Sequence, residues 1–333
     1  MLDLRYIGSF QPGTPLHVEN PLEELWSWVA RLGISEWLQR AAASAVPPIT
    51  TPWADWGPYA VVRIRQAVEF RTASRGASLL TRPLPLYYSF LNLVRGCLAL
   101  EKQITNTKSH GLRFRSSGNL LDASAEVIPG TFPDWVQAMG TSLPAGSAYT
   151  LMDCLSRIAE ISGDHASSGL GQTEVRTVRP EAFHSGRVLL HFHCPGEEES
   201  FRQEWKAWFP SLGGLCSLEP VGAVLAVGPS TDTSNYEAIS AFCFERLWVK
   251  LNWSDRPIWF ALRHIQPVLP RSAYYLVCSF ILASAVRYEP ELLLSAVNPD
   301  ADIAWILNRL LNAGERYFPQ LILHWVHSKP VFF

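Results

Sequence analysis

A chain of 333 residues that is 48% hydrophobic and only 17% charged can bury a large core, which excludes disorder as a description of the whole. With 28 basic and 30 acidic residues the net charge is -2, so the chain lacks the global basic excess of proteins that track duplex nucleic acid. Its 13 Trp, with aromatics at 12%, point to wide aromatic packing or to an apolar surface used by a partner.

Residues 21–44, PLEELWSWVARLGISEWLQRAAAS, place Leu25, Trp28, Val29 and Leu32 on one helical stripe. The prolines of VPPITTPWADWGP then break the chain. A helix is expected over about 60–75 and a second over about 84–101, and the short GASLLTRP link makes the two antiparallel neighbours. The runs TEVRTV, RVLLHFHC, GLCSLEP and AVLAVGP are short, β-rich and bounded by Gly and Pro, so a small sheet is expected over about 172–230. A helix, EEESFRQEWKAWF, interrupts it, with acids in the first turn where the macrodipole favours them. NYEAISAFCFERLWVKLNW fits helix or strand, and the reading leans to helix.

After Pro270, RSAYYLVCSFILASAVRYE is apolar nearly all round and reads as a central core helix. NPDADIAWILNRLLNAG predicts a helix with Asn298 as N-cap, Pro299 at the first position and Gly314 past the end; FPQLILHWVHS closes the fold. These elements predict a mainly α (α+β) protein. An N-terminal helical part (1–170) and C-terminal helices (256–333) form one core, with a small α/β insertion (171–255) between them.

The longest apolar run, AYYLVCSFILASAV, falls short of the roughly 20 residues of a membrane span, and MLDLRYIGSF makes a poor signal peptide. Six scattered cysteines (Cys97, Cys154, Cys194, Cys216, Cys243, Cys278), none in a CxxC, suit buried thiols in a reducing compartment. A soluble, cytoplasmic protein without membrane contact is expected.

The stretch from Arg82 to Gly111 carries the most chemistry. On a helix, Tyr87, Phe90, Leu91, Val94 and Leu98 line one face, while Tyr88, Asn92 and Arg95 share a second, polar stripe. A short break, Glu101–Ser109, lets His110 return to that stripe. A buried arginine needs a partner, and Glu69 on the preceding helix is one. Two readings stand. In the structural one, a Glu69–Arg95 ion pair fixes how two helices dock. In the functional one, Tyr88, Asn92, Arg95, His110 and Arg287 line a pocket for a phosphate-bearing ligand. Arg95 then binds bidentately and His110 handles protons, which makes Arg95 and His110 the catalytic candidates.

In the RYEP motif, Arg287 reads as a last-turn cation and Glu289 as a cap acid ahead of Pro290. The cluster Lys102, Lys108, Arg113 and Arg115 reads as a solvated loop. His191 and His193 share one side of a strand, and His324 and His327 are one helical turn apart, but no acid or thiol completes either set. No Gly-rich phosphate loop, GxSxG or HExxH occurs, so no metal and no cofactor is expected.

The segment RQAVEFRTASRGASLLTRPLPLYYSFLNLVRGCLALE, with the SHG beyond it, resembles the YaaC-like family of bacterial proteins through Pro83, Leu86, Tyr87, Tyr88, Leu93, Arg95, His110 and Gly111. YYLVCSFILASAVRYEPELL resembles that family's other block, carried by Arg287, Tyr288 and Glu289. The resemblance implies a mostly helical bacterial protein without an agreed activity. The first block is also similar to HEPN-type helical hairpins, a superfamily that includes RNA-cleaving toxins and phage-defence effectors. Its ribonuclease members carry Arg, four to six residues, then His on one helix. Here fourteen residues separate Arg95 from His110, and Arg179 to His184, which has the right count, contains Pro180.

The resemblances imply first a non-catalytic recognition or regulatory module, partnered by another protein of a defence or toxin-type system. The alternative is an RNA- or nucleotide-binding protein with phosphodiesterase (ribonuclease) activity. These residues are compatible with an enzyme and with a binding protein alike, and imply no oligomeric state.

Overall fold

The computed structural model describes residues 2–3, 14–15, 20–43, 49–105, 109–144, 146–182, 187–228, 231, 238–239, 242–243, 246–250, 258–263, 269–296, 298, 302–327 and 331–332. Lys108, His184 and Pro299 lie outside the described residues, as does the side chain of His327. In chain order, β1 (Leu2–Asp3) and β2 (Thr14–Pro15) precede α1 (Pro21–Leu32), α2 (Ser35–Ala43), α3 (Trp53–Arg75) and α4 (Pro83–Lys102). Next come β3 (His110–Arg115), β4 (Ser124–Gly130), α5 (Thr131–Ala138), β5 (Ala148–Thr150), α6 (Leu151–Leu155) and α7 (Ser162–Ser167). They are followed by β6 (Val175–Ala182), β7 (Val188–Phe192), α8 (Glu198–Trp208), α9 (Pro210–Gly213), β8 (Cys216–Leu218), β9 (Val224–Val227), β10 (Trp248–Lys250) and β11 (Ile258–Leu262). Last are α10 (Arg271–Tyr288), α11 (Pro290–Ala296), α12 (Asp302–His327) and β12 (Val331–Phe332). The fold is mainly α, with antiparallel sheets.

Two compact units emerge: Leu16–Gln172 with Leu269–Val331, and Thr173–Val268 with Met1–Pro15 and Phe332–Phe333. The first is helical and built around α4. Proline sits in the first turn of α4, where a missing N–H costs nothing. Gln103 closes the helix in the left-handed region (φ 54), its N–H bonding to the Ala99 carbonyl and that of Ile104 to Leu98. Every residue of α4 from Ser89 to Leu100 is buried, against α3, α10 and α12. Glycine lets α3 and α4 approach: a Cβ on Gly96 would fall 2.7 Å from Ile64 Cγ1 and 3.3 Å from the Ala60 carbonyl. Helix α10 is buried from Ser272 to Ala285, as its all-round apolar sequence requires.

Some boundaries differ from the sequence reading. The first helical stretch is two helices, α1 and α2, broken at Gly33–Ile34. Trp26 rather than Trp28 enters the core, because Trp28 turns aside and donates its indole N–H to Glu24 Oε1 at 2.9 Å. Helix α3 starts at Trp53, earlier than expected; Pro58 is accommodated near its start, where few intrahelical bonds are lost. Gly314 and Pro319 do not end a helix but lie inside α12. Gly314 is needed for packing, since a Cβ there would meet the Phe90 ring at 3.2 Å. Pro319 cannot donate to the Glu315 carbonyl four residues back, and the Trp26 indole N–H takes that carbonyl instead at 3.0 Å.

Buried charges tie these helices together. Arg71 (4% exposed) bonds both carboxylate oxygens of Glu23 at 2.6 and 2.9 Å and Glu315 Oε1 at 2.8 Å, while Arg82 reaches Glu315 Oε2 at 2.8 Å. One acid on α12 thus serves arginines from α3 and from the start of α4. At the other end, Glu160 accepts from Arg271 and from the Tyr275 hydroxyl.

A three-stranded antiparallel sheet, β3-β4-β5, belongs to the same unit and was not anticipated. It opens on a bulge between His110 and Leu112. Gly111 has φ +82, and a Cβ there would sit 2.6 Å from the Phe132 nitrogen. The basic cluster expected as a loop therefore lies partly on β3, where Arg113 and Arg115 pair with Glu126 across the strands.

The second unit is a seven-stranded antiparallel sheet in the order β10-β11-β6-β7-β9-β8, with β1 added beside β6. It is larger than the sheet read from 172–230, because β10, β11 and β1 join it from outside that span. Residues 238–239 and 242–243 are helical, but Trp248–Lys250 is strand, so the lean to helix for that segment holds only in part. Its core packs Val178, Leu190, Leu225 and Trp259 of the sheet against Phe201, Trp205 and Trp208 of α8.

Candidate functional site

Helix α4 sends its two tyrosines to different places. Tyr87 is buried and makes a 3.0 Å hydrogen bond with His110 Nδ1; Tyr88 is half-buried, stacked on Phe70, and accepts from Arg287 Nη1 at 3.1 Å. Arg287 stands at the end of α10, where a cation suits the helix dipole. Glu289 then caps the turn, Pro290 starts α11, and Glu289 takes a hydrogen bond from the Ser116 hydroxyl. That break leaves Arg287 exposed beside Tyr288, 4.8 Å above its ring.

These groups rim a cavity of about 440 Å³ bounded by α4, α10, β3 and β4. Its polar side is Tyr88, His110, Ser109, Ser284 and Arg287, and its walls include Leu112, Phe114, Ile128 and Phe280. Among the described residues that line it there is no carboxylate.

Arg95 is placed differently. It is 9% exposed and does not line the cavity. Its Nε donates to Thr131 Oγ1 at 3.0 Å and its Nη2 to the Ser109 carbonyl at 3.2 Å, and that carbonyl also accepts from the Thr131 hydroxyl and backbone N–H. Arg95 therefore clamps the residue before His110 from behind. The Glu69–Arg95 ion pair does not form: α3 turns Glu69 outward to solvent, and oxygens from the sheet side take the guanidinium. Asn92 also leaves the pocket set, because its amide is held by Tyr88 O and Arg63 Nη1. Of the residues foreseen together, the structure gathers Tyr88, His110 and Arg287 at the cavity and sets Asn92 and Arg95 outside it.

Charge and tautomer follow from this arrangement. Burial, then the charges of Arg95 and Arg287, push the His110 imidazole below its ordinary value, so it is neutral at pH 7. Burial also drives the Tyr87 phenol upward, so Tyr87 keeps its proton and can donate it to Nδ1, the arrangement that leaves the imidazole hydrogen on Nε2.

His165, on α7, is a second imidazole held low by burial; it is 1% exposed, and among the described residues neither ring nitrogen has a hydrogen-bond partner. Both histidines bind a proton more readily in the unfolded chain, so stability is full above the unfolded value of about 6.5 and falls as the pH drops through it. The urea midpoint is expected to fall between about pH 7.5 and 5.5, and His165→Leu should flatten that slope. An unchanged slope would remove His165 from the account.

Sequence reasoning missed the walls contributed by Leu112, Phe114 and Ile128. The signal was present: HGLRFR alternates, with Leu112 and Phe114 on one side and the two arginines on the other. His191 faces Glu181 at 3.0 Å, and among the described residues no group of three His, Cys, Asp or Glu could hold an ion.

The family model for YaaC-like proteins matches residues 57–326, a span that takes in both quoted blocks and all of the cavity. The chain belongs to the YaaC-like family. No curated protein and no solved structure matches it. The span matched by the YaaC-like model covers α4 and α10 whole and most of α3. Among the described residues of this YaaC-like chain, no helix is long and apolar enough to cross a membrane.

Proposed function

We propose that this YaaC-like protein is a non-catalytic recognition module, and that its recognition element is the cavity between α4, α10 and the strands β3 and β4. The position of Arg95 carries the reading. Cleavage of a phosphodiester by Arg95 and His110 needs both side chains on one phosphate, as in the HEPN-type nucleases. Here the Arg95 guanidinium is committed to Thr131 and Ser109 behind the cavity wall. His110 is poorly suited to proton transfer as well. Its Nδ1 is engaged by Tyr87, and a neutral imidazole offering Nε2–H is a hydrogen-bond donor rather than a general base. The α3–α4 hairpin, the part similar to HEPN, acts on this reading as scaffold for Tyr88 and Tyr87.

Incubation of the purified protein with total RNA is expected to leave the RNA intact, and His110→Ala is expected to change nothing. Cleavage that disappears in His110→Ala would overturn the proposal in favour of the ribonuclease alternative.

A further inference from the structure

We infer that the cavity takes a small organic monoanion: an apolar, preferably aromatic body carrying one carboxylate or similar group. This rests on the recognition reading above. Each charged or donor group on its polar side points the same way. The Arg287 guanidinium is the cation on the lining; Tyr88 accepts from it, which frees the phenol hydrogen to donate; and His110 presents Nε2–H. A ring of donors with no carboxylate among the described lining residues selects an acceptor, and the guanidinium selects a negative one.

The charge it can hold is limited. Arg287 and Tyr288 are the last residues of α10, so the negative end of that helix dipole borders the same space. His110 adds no second positive charge, and Arg95 lies outside the lining. One anionic group is balanced there. A polyphosphate or a run of RNA backbone is not, because each further phosphate would lack a counter-charge among the described lining residues. The remaining walls (Leu112, Phe114, Ile128, Phe280) give the ligand's body an apolar bed, and Phe280 lies edge-on to both Tyr87 and His110, which leaves ring surfaces for an aromatic group.

The test is calorimetric titration with 2-naphthoate, its neutral amide 2-naphthamide, and inorganic phosphate. Naphthoate is expected to bind saturably with one site, the amide about tenfold more weakly or worse, and phosphate not at all. Arg287→Met, at an exposed position, should weaken naphthoate by about tenfold while leaving the amide unchanged. Ala283→Trp should fill the cavity and abolish both, with Leu112→Trp as a second filling variant should the first fail to fold. Arg309→Met, remote on α12 and paired with Asp164, should have no effect. Equal affinity for acid and amide would overturn the anion assignment and leave the recognition reading in place. Binding that survives both filling variants, or no binding by naphthoate, would overturn the inference itself. Ribonuclease activity would instead overturn the recognition reading whatever the titrations show.

Discussion

Arg271→Met is expected to destabilise the helical unit by about 3–5 kcal/mol, because it strands a carboxylate that has no access to water. The Glu160 side chain is 0% exposed and is held by Arg271 and by the Tyr275 hydroxyl at 2.8 Å. Burial, and after it the Glu160 charge, holds the Tyr275 phenol well above its ordinary value, so it remains a donor. One phenol does not replace a guanidinium. Methionine keeps the length and apolar stem of arginine, which confines the change to charge and hydrogen bonding. Arg271→Lys should recover part of the loss, since it restores the charge without the planar fork. Arg271→Met combined with Glu160→Leu should recover most of it, since no charge is then left buried. Urea midpoints at neutral pH would show this; a loss below about 1 kcal/mol for the single variant would mean the pair contributes little.

Trp26→Ala should cost a comparable amount, about 3–5 kcal/mol, through lost packing in a side chain that is 2% exposed. The informative part is smaller. Trp26→Phe preserves most of the contact but leaves the Glu315 carbonyl without a donor, at about 1–3 kcal/mol. Pro319 is the reason that carbonyl is free. In a Pro319→Ala background, the restored backbone N–H can close the helical hydrogen bond, and Trp26→Phe should then cost measurably less. A double-mutant cycle on thermal midpoints isolates the coupling. Equal losses in the two backgrounds would show that the indole is not substituting for the proline's missing hydrogen.

The long apolar helices were legible because their pattern leaves few alternatives. YYSFLNLVRGCLAL carries only a narrow polar stripe and SAYYLVCSFILASA no charged residue, and both became central helices. Likewise the Arg-Tyr-Glu-Pro sequence gave the right local structure, since proline fixes where a new helix starts. Partners were harder. Arg95 had an acid on the preceding helix, but its actual acceptors, Thr131 and the Ser109 carbonyl, flank strands β4 and β3 of a sheet whose three short strands carry little pattern of their own. Gly314 and Pro319 look like a helix end on local grounds. They sit mid-helix because tertiary contacts supply what each removes, close packing for one and a borrowed donor for the other. Trp26 and Trp28 differ by two positions, and only the neighbouring helices decide which turns inward.

The two sides of the cavity differ in how freely they can vary. The backbones of α4 and α10 are enclosed by other helices, so enlarging or reshaping the space from Tyr87 or Phe280 disturbs packing well beyond it. Leu112, Phe114 and Ile128 hang from short strands near the surface, and Phe114 and Ile128 are only half-buried. Relatives that accept a bulkier or slimmer guest should therefore diverge on the strand side while keeping the helical wall, and an engineer seeking a new guest would randomise those three positions first.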